Sequence, residues 1–273
     1  MARNEKQFQV QDGTQFSMNY EVIPGVLPET TLFIHGNLAS NRWWYPASEV
    51  WEKQSQKKLK GAMILAEFRG CGKSTAPQTD NEVSINRLAQ DYLDLLTHLG
   101  LQKVNVVGHS TGGLIAAAMA AKSPTTIQKM VLLDPVGAKG VTFDPSMTEA
   151  FEQMKTNKEL VGLVIGSTIH QNNPNTDFFK QVVVEDAFHA VQTVGLRILK
   201  ALDGLDLTAQ ISGINVPCLV LHGEFDQLLP VADSQALAKL QKQGQFEVFQ
   251  GMGHCGNVEN PSRFVERVNQ FLF

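Results

Sequence analysis

Cysteine is scarce in this chain, and its few residues form no pattern. The three cysteines, Cys71, Cys218 and Cys255, are odd in number and far apart. They stand in no metal-ligand spacing and cannot form a disulfide framework, so they read as reduced thiols in a cytoplasmic protein. Long apolar runs are missing too, so no segment is expected to cross a bilayer as a helix. Met1-Ala2-Arg3-Asn4-Glu5-Lys6-Gln7 lacks the apolar stretch a secretory signal needs. Charge of one sign is also lacking. A formal net charge of -4 leaves no basic footprint for nucleic acid. The one dense basic run, Lys57-Lys58-Leu59-Lys60, fits a solvated helix end, where cations suit the dipole. What is there, 43% hydrophobic and 18% charged residues over 273 positions, is enough for one large globular domain with an insertion. No internal repeat or low-complexity segment is visible.

The pattern along the chain is alternating. Phe8 to Val10 and Gln15 to Val22 flank a turn at Asp12-Gly13 and predict a hairpin. Short apolar strands are expected at 30–34, 62–66, 104–107, 130–133, 216–221 and 246–249. Helical spacing links Ile85, Leu88, Ala89, Tyr92, Leu95, Leu96 and Leu99, closed by Gly100. Further helices are expected after residue 110, over Val231 to Lys242 and over Pro261 to Phe271. Strand–helix alternation predicts βαβ units and a mostly parallel sheet. It pauses between about Gly137 and Asp206, where helical patches such as 147–154 and 186–202 imply a helical insertion.

Gly108-His109-Ser110-Thr111-Gly112 carries the chemistry. It fits G-x-S-x-G between an apolar β-branched run and the helix former Leu114 to Ala121. A serine so placed sits on a tight turn with its hydroxyl above the sheet. A serine hydroxyl needs a base, and the base needs an orienting acid. In a parallel sheet such groups gather at the C-terminal strand ends. Asp226 follows the strand ending at Leu221, and His254 follows the one ending at Phe249. The order Ser, Asp, His suits this elbow. Asp134 also ends a strand and is the rival acid. Glu224 fits only a differently bent loop.

The elbow, with four further motifs, resembles the α/β-hydrolase superfamily over almost the whole chain, in its serine-nucleophile, carboxylesterase-like branch. His35-Gly36-Asn37 resembles the oxyanion loop, and Arg69-Gly70-Cys71-Gly72-Lys73-Ser74 an Arg-Gly-x-Gly-x-Ser loop. Gly223 to Pro230 resembles the acid loop. Gly253-His254 through Glu259-Asn260-Pro261 resembles the histidine segment. The resemblance implies a mostly parallel eight-stranded sheet with helices on both faces. It implies a core of residues 1–136 and 207–273 and a helical cap at 137–206. It makes Ser110 the nucleophile, His254 the general base and Asp226 its partner, with the Asn37 and Thr111 N–H groups as oxyanion hole. It implies no metal and no organic cofactor.

Other residues have blander readings. His98 is expected on the surface, His109 as shape filling, and His35 ordering its loop. His222 is expected to bond backbone, and His170 and His189 to be solvated. Gly72-Lys73-Ser74-Thr75 suggests a phosphate loop, but the required earlier glycine is Glu67, a carboxylate. His35-Gly36-Asn37 also resembles haloalkane dehalogenases, which need an aspartate at Ser110 and typically a tryptophan at Thr111. In the insertion, Phe143, Met147, Phe151, Met154, Phe178, Phe179 and Phe188 mostly pack the cap. Phe143 and Phe188, with Trp43 and Trp44, are the candidates to line an apolar pocket. The expected activity is hydrolysis of small to medium, partly apolar carboxylic esters, by a monomer or homodimer. C–C bond hydrolysis, perhydrolysis and a ligand receptor on this fold stay open.

Overall fold

Consecutive residues in the central strands are apolar on both sides, and that places them inside a covered sheet. In β3 (Thr30–Ile34), Leu32 and Ile34 join one core and Phe33 the other. The same split recurs in β5 (Val104–His109), where Val106 and Val107 part, and in β6 (Ile127–Leu133), where Met130 and Leu132 oppose Val131 and Leu133. The computed structural model describes residues 4–11, 13–55, 61–142 and 144–273. Asp12, Lys57 to Lys60 and Phe143, all singled out by the sequence, lie outside the described residues.

In chain order the elements are β1 (Glu5–Gln9), β2 (Ser17–Ile23), β3, α1 (Tyr45–Ser55), β4 (Ala62–Ala66), α2 (Ile85–His98), β5, α3 (Thr111–Lys122) and β6. Four α-helices follow, α4 (Pro145–Met154), α5 (Lys158–Ser167), α6 (Val184–Thr193) and α7 (Gly195–Leu202), with a π-helical turn at Phe179–Val183 leading into α6. The chain then runs through α8 (Thr208–Ile211), β7 (Cys218–Gly223), α9 (Val231–Leu240), β8 (Gly244–Phe249), α10 (Gly256–Glu259) and α11 (Pro261–Leu272). The eight strands form one sheet in the order β1-β2-β4-β3-β5-β6-β7-β8. The β1–β2 and β2–β4 pairs are antiparallel, and the rest are parallel.

One face is covered by α2 and α3, through residues such as Leu88, Leu95, Leu114 and Ile115. The other is covered by α1 and α11, through Trp51, Phe264, Val265 and Val268. The inserted helices join the first core through Phe151, Met154, Val161 and Ala190. The mostly parallel eight-stranded sheet is therefore the expected one, and two details of the insertion differ from the pattern reading. The patches at 147–154 and 186–202 leave out α5, whose Leu163 and Val164 are exposed and blur its apolar stripe. The 186–202 patch is two helices, broken at Val194–Gly195. A Cβ on Gly195 would stand 2.4 Å from Leu38 Cδ2, so the chain turns where it packs against the loop after β3. Among the described residues no helix is long and apolar enough to cross a membrane.

Candidate active site

β5 ends at His109, and α3 begins at Thr111. Ser110 between them stands at φ 55 and ψ -121, a left-handed backbone that a side-chain-bearing residue adopts only under constraint. The constraint is visible. Ser110 N–H donates to Leu133 O at 2.9 Å, and Ser110 O accepts from Gly113 N at 2.9 Å and Val136 N at 3.1 Å. The flanking glycines are steric requirements. A Cβ on Gly108 would lie 2.4 Å from Gly112 O, and one on Gly112 would lie 2.4 Å from both Ile34 O and His35 O. Strand and helix are thus pressed together, with the serine at the apex.

His254 follows β8 and is tied to the elbow by the residue before the serine. His109 Nε2–H donates to His254 O at 2.8 Å, and the two rings lie 4.8 Å apart. His109 is therefore a connector, not the shape filler expected. Burial drives its imidazole down to about 3, so it stays neutral and keeps this bond at neutral pH. On its other side His254 Nδ1–H donates to Asp226 Oδ2 at 2.8 Å. Asp226 Oδ1 accepts from the N–H groups of Leu228 at 2.7 Å and Leu229 at 3.2 Å. Burial works to raise the Asp226 carboxyl, but the His254 bond and those N–H groups outweigh it, and it titrates below the usual range. Among the described residues neither Ser110 Oγ nor His254 Nε2 takes a hydrogen-bond partner.

Glu259 fixes the histidine loop from below. Its Oε2 accepts from Gly253 N at 2.7 Å, and its Oε1 from Cys255 N at 3.2 Å and His170 N at 3.1 Å. The sequence pattern contained Glu259 but attached no role to it. Glu224 Oε2 is occupied by Gly251 N–H at 2.8 Å, a loop brace without contact to His254.

Asp134, the rival acid, lies behind Asp226. It is fully buried at φ 43, and its Oδ1 accepts Gly223 N–H at 2.7 Å. Burial pushes its carboxyl well above the ordinary range, and the charge of Asp226 pushes the same way. The two carboxyls are driven apart, Asp134 upward and Asp226 downward. His222 completes this cluster. Its Nδ1 lies 2.9 Å from Ser234 Oγ, so it bonds a side chain where backbone was expected. Asp134, His222 and Asp226 bring ligand atoms within 4.8 Å of one another and are the described residues that could hold a metal. Such an ion would compete with the Asp226–His254 bond.

Two segments from different elements meet at the elbow. Thr111 opens α3, so its N–H has no intrahelical acceptor. Asn37 lies in the loop after β3, where a Cβ on Gly36 would come within 3.0 Å of Ser110 Cβ. His35 orders that loop: Nδ1–H donates to Gly36 O at 2.8 Å, and the ring stacks on Phe68 at 4.3 Å. Burial lowers its imidazole to about 4, which suits a structural residue.

The pocket candidates fare differently. Trp44 is fully buried in the core beneath the sheet, with its ring 5.3 Å from Phe33 and 5.9 Å from Phe264. It cannot line a pocket, because it packs on the face opposite α3. Trp43 is also buried, and its carbonyl accepts Asn257 Nδ2 at 3.1 Å. Phe188 is half-buried on α6, with Lys158 Nζ 5.6 Å from its ring. His98 is exposed and stacks on Phe8, and exposed His170 stacks on Phe225 at 4.3 Å. The glycine-rich loop after β4 holds a carboxylate where a phosphate loop would hold an anion. Lys73 N–H donates to Glu67 Oε2 at 2.8 Å, and a Cβ on Gly72 would meet Glu67 Oε1 at 2.0 Å.

Sheet order, elbow and strand-end positions together define the α/β-hydrolase fold. The family model described as alpha/beta hydrolase fold matches residues 31–163. The chain is 29% identical over 241 residues to a non-heme haloperoxidase of Rhodococcus erythropolis, covering 82% of this chain and 84% of that one. It is 26% identical over 263 residues to the 2-hydroxymuconate semialdehyde hydrolase of Pseudomonas sp. strain CF600, covering 88% and 86%. An esterase from Exiguobacterium antarcticum matches in structure with a TM-score of 0.82 at 21% identity, over 97% of this chain and 98% of that one. The chain has the α/β-hydrolase fold, and the proteins it matches include hydrolases, an esterase and a haloperoxidase.

Proposed function

We propose that this chain is a serine hydrolase that cleaves carboxylic esters through an acyl-enzyme. The observation that carries the reading is the 2.8 Å bond between His254 Nδ1 and Asp226 Oδ2, on a histidine tied to the elbow of Ser110. Asp226 keeps the proton on Nδ1 and leaves Nε2 as an acceptor. His254 Nε2 takes the hydroxyl proton as Ser110 Oγ attacks the ester carbonyl. The carbonyl oxygen becomes an oxyanion and receives the N–H groups of Thr111 and Asn37. Each such donor stabilises the transition state by about 3–4 kcal/mol. The proton on Nε2 then passes to the leaving alcohol, and the acyl group stays on Ser110. Water, deprotonated by the same nitrogen, hydrolyses it.

Residues 137–206 are read as a cap on a core of 1–136 and 207–273. The apolar character of that insertion favours small to medium, partly apolar acyl groups. Ser, His and Asp suffice for this chemistry. The similarity to a haloperoxidase supports a second reaction at the same acyl-enzyme, with peroxide in place of water as acceptor. Hydrolysis of p-nitrophenyl acetate, butyrate and longer esters tests the reading, with peracid formation scored beside it. Turnover that disappears in Ser110→Ala is the expected result. Undiminished turnover in a folded Ser110→Ala protein contradicts it.

A further inference from the structure

The loop after β3 carries the Asn37 N–H, yet its own sequence does not make it rigid. Leu38 stands at φ 58 without being glycine, a conformation that persists only where neighbours over-determine it. The neighbours come from the inserted helices. Asp186 on α6 is 3% exposed and accepts Ser40 Oγ–H on Oδ2 at 2.6 Å. Its Oδ1 accepts Arg42 Nε–H at 3.1 Å and also pairs with Arg42 Nη2. Arg42 Nη1–H reaches Gln181 O at 3.3 Å, on the chain just before α6. At the start of α7, Gly195 O accepts Asn37 Nδ2–H at 3.0 Å, while Asn37 Oδ1 accepts Leu38 N–H at 3.0 Å. Leu38 itself packs against Gly195, where no Cβ fits.

Stability of α6 does not call for a buried carboxylate. Glu185, its neighbour on the same helix, is exposed and pairs with Lys158. A buried carboxylate is retained at a desolvation cost and must be fully partnered. Here the hydrogen-bond partners of Asp186, Ser40 and Arg42, both lie between β3 and α1, within five residues of Asn37.

We propose that Asp186 is a positioning residue for the oxyanion loop: through Ser40 and Arg42 it sets the place of the Asn37 N–H, so the inserted helices complete a catalytic dipole. This rests on the serine-hydrolase reading. A donor aimed at charge that exists only in the transition state affects kcat and leaves substrate binding alone. Loss of the clamp loosens the donor without removing it, so the drop is smaller than deletion of the donor.

The test is Asp186→Asn in the full chain, with Glu185→Gln as the neighbouring control and Arg42→Gln as a milder variant should Asp186→Asn fail to fold. Steady-state hydrolysis of p-nitrophenyl butyrate is measured alongside amide hydrogen exchange over residues 37–44. The expected result is a fall in kcat of roughly tenfold to a hundredfold, with KM little changed. Exchange over 37–44 should quicken, and Glu185→Gln should match wild type in both readouts. Unchanged kcat and unchanged exchange in Asp186→Asn overturn the proposal. A raised KM at constant kcat also overturns it, because that marks a substrate contact. If wild type turns over no ester and its Ser110 resists fluorophosphonates, the serine-hydrolase reading fails. The exchange arm still decides whether Asp186 holds the loop.

Discussion

Asparagine in place of Asp226 should halt turnover by fixing the wrong tautomer of His254. The geometry decides which way the new amide faces. Asp226 Oδ1 accepts two backbone N–H groups, from Leu228 at 2.7 Å and Leu229 at 3.2 Å. An asparagine oxygen occupies that end, since an NH₂ there would face two donors. The NH₂ then points at His254 Nδ1, 2.8 Å from the replaced Oδ2, and donates to it. His254 must carry its proton on Nε2, where it cannot accept one from Ser110. Loss of the correct tautomer in a serine triad costs roughly 10⁴-fold in kcat, or about 5.5 kcal/mol. Asp134→Asn makes the contrast. Its oxygen can still accept Gly223 N–H, no contact to His254 is lost, and kcat should stay within about threefold. Both variants are compared with p-nitrophenyl butyrate after their folding is checked by thermal unfolding. A large loss in Asp134→Asn with little loss in Asp226→Asn would refute the reasoning and give the role to the other carboxyl.

Burial lifts the Glu67 carboxyl from 4.5 to about 7. Between those values the folded chain holds a proton that the unfolded chain has released, so stability falls as pH rises through the window, by about 3 kcal/mol. Glu67→Gln removes that slope. Urea unfolding should show the variant gaining on wild type from acid to neutral pH, and parallel curves would contradict the assignment. His109→Phe keeps the ring but deletes the bond to His254 O. Its kcat should drop about tenfold through a displaced base, near the 1–3 kcal/mol of a lost buried bond; an unchanged kcat would return His109 to shape filling. Trp44→Ala should cost about 3–5 kcal/mol in urea unfolding and leave KM for p-nitrophenyl butyrate unaltered. A shifted KM would make Trp44 a pocket residue after all.

The residues easiest to read in the sequence are those placed by strand ends. Ser110, Asp226 and His254 each follow a short apolar run, and βαβ topology brings such positions to one edge of the sheet. The strand at 30–34 was legible as a short apolar run, and its split between two cores, Leu32 on one side and Phe33 on the other, came from the fold. Contacts between elements distant in sequence were not. Asp186 reads as one more carboxylate on a helix, and only the folded insertion shows it facing Ser40 and Arg42. Trp43 and Trp44 followed the oxyanion loop and invited a pocket role. A helical start rotates the second of them beneath the sheet, against Phe33 and Phe264. Glu259 stood inside a quoted motif, but its three backbone partners span Gly253, Cys255 and His170. Spacing could not have paired it with a residue of the insertion.

Whether Ser110 is a nucleophile can be settled by covalent capture. The protein is incubated with a fluorophosphonate, digested, and the adduct mapped by mass spectrometry. A single adduct on Ser110, absent in Ser110→Ala and strongly slowed in His254→Gln, is the result the account predicts. An adduct on another residue, or labelling of Ser110 at full rate without His254, would contradict it.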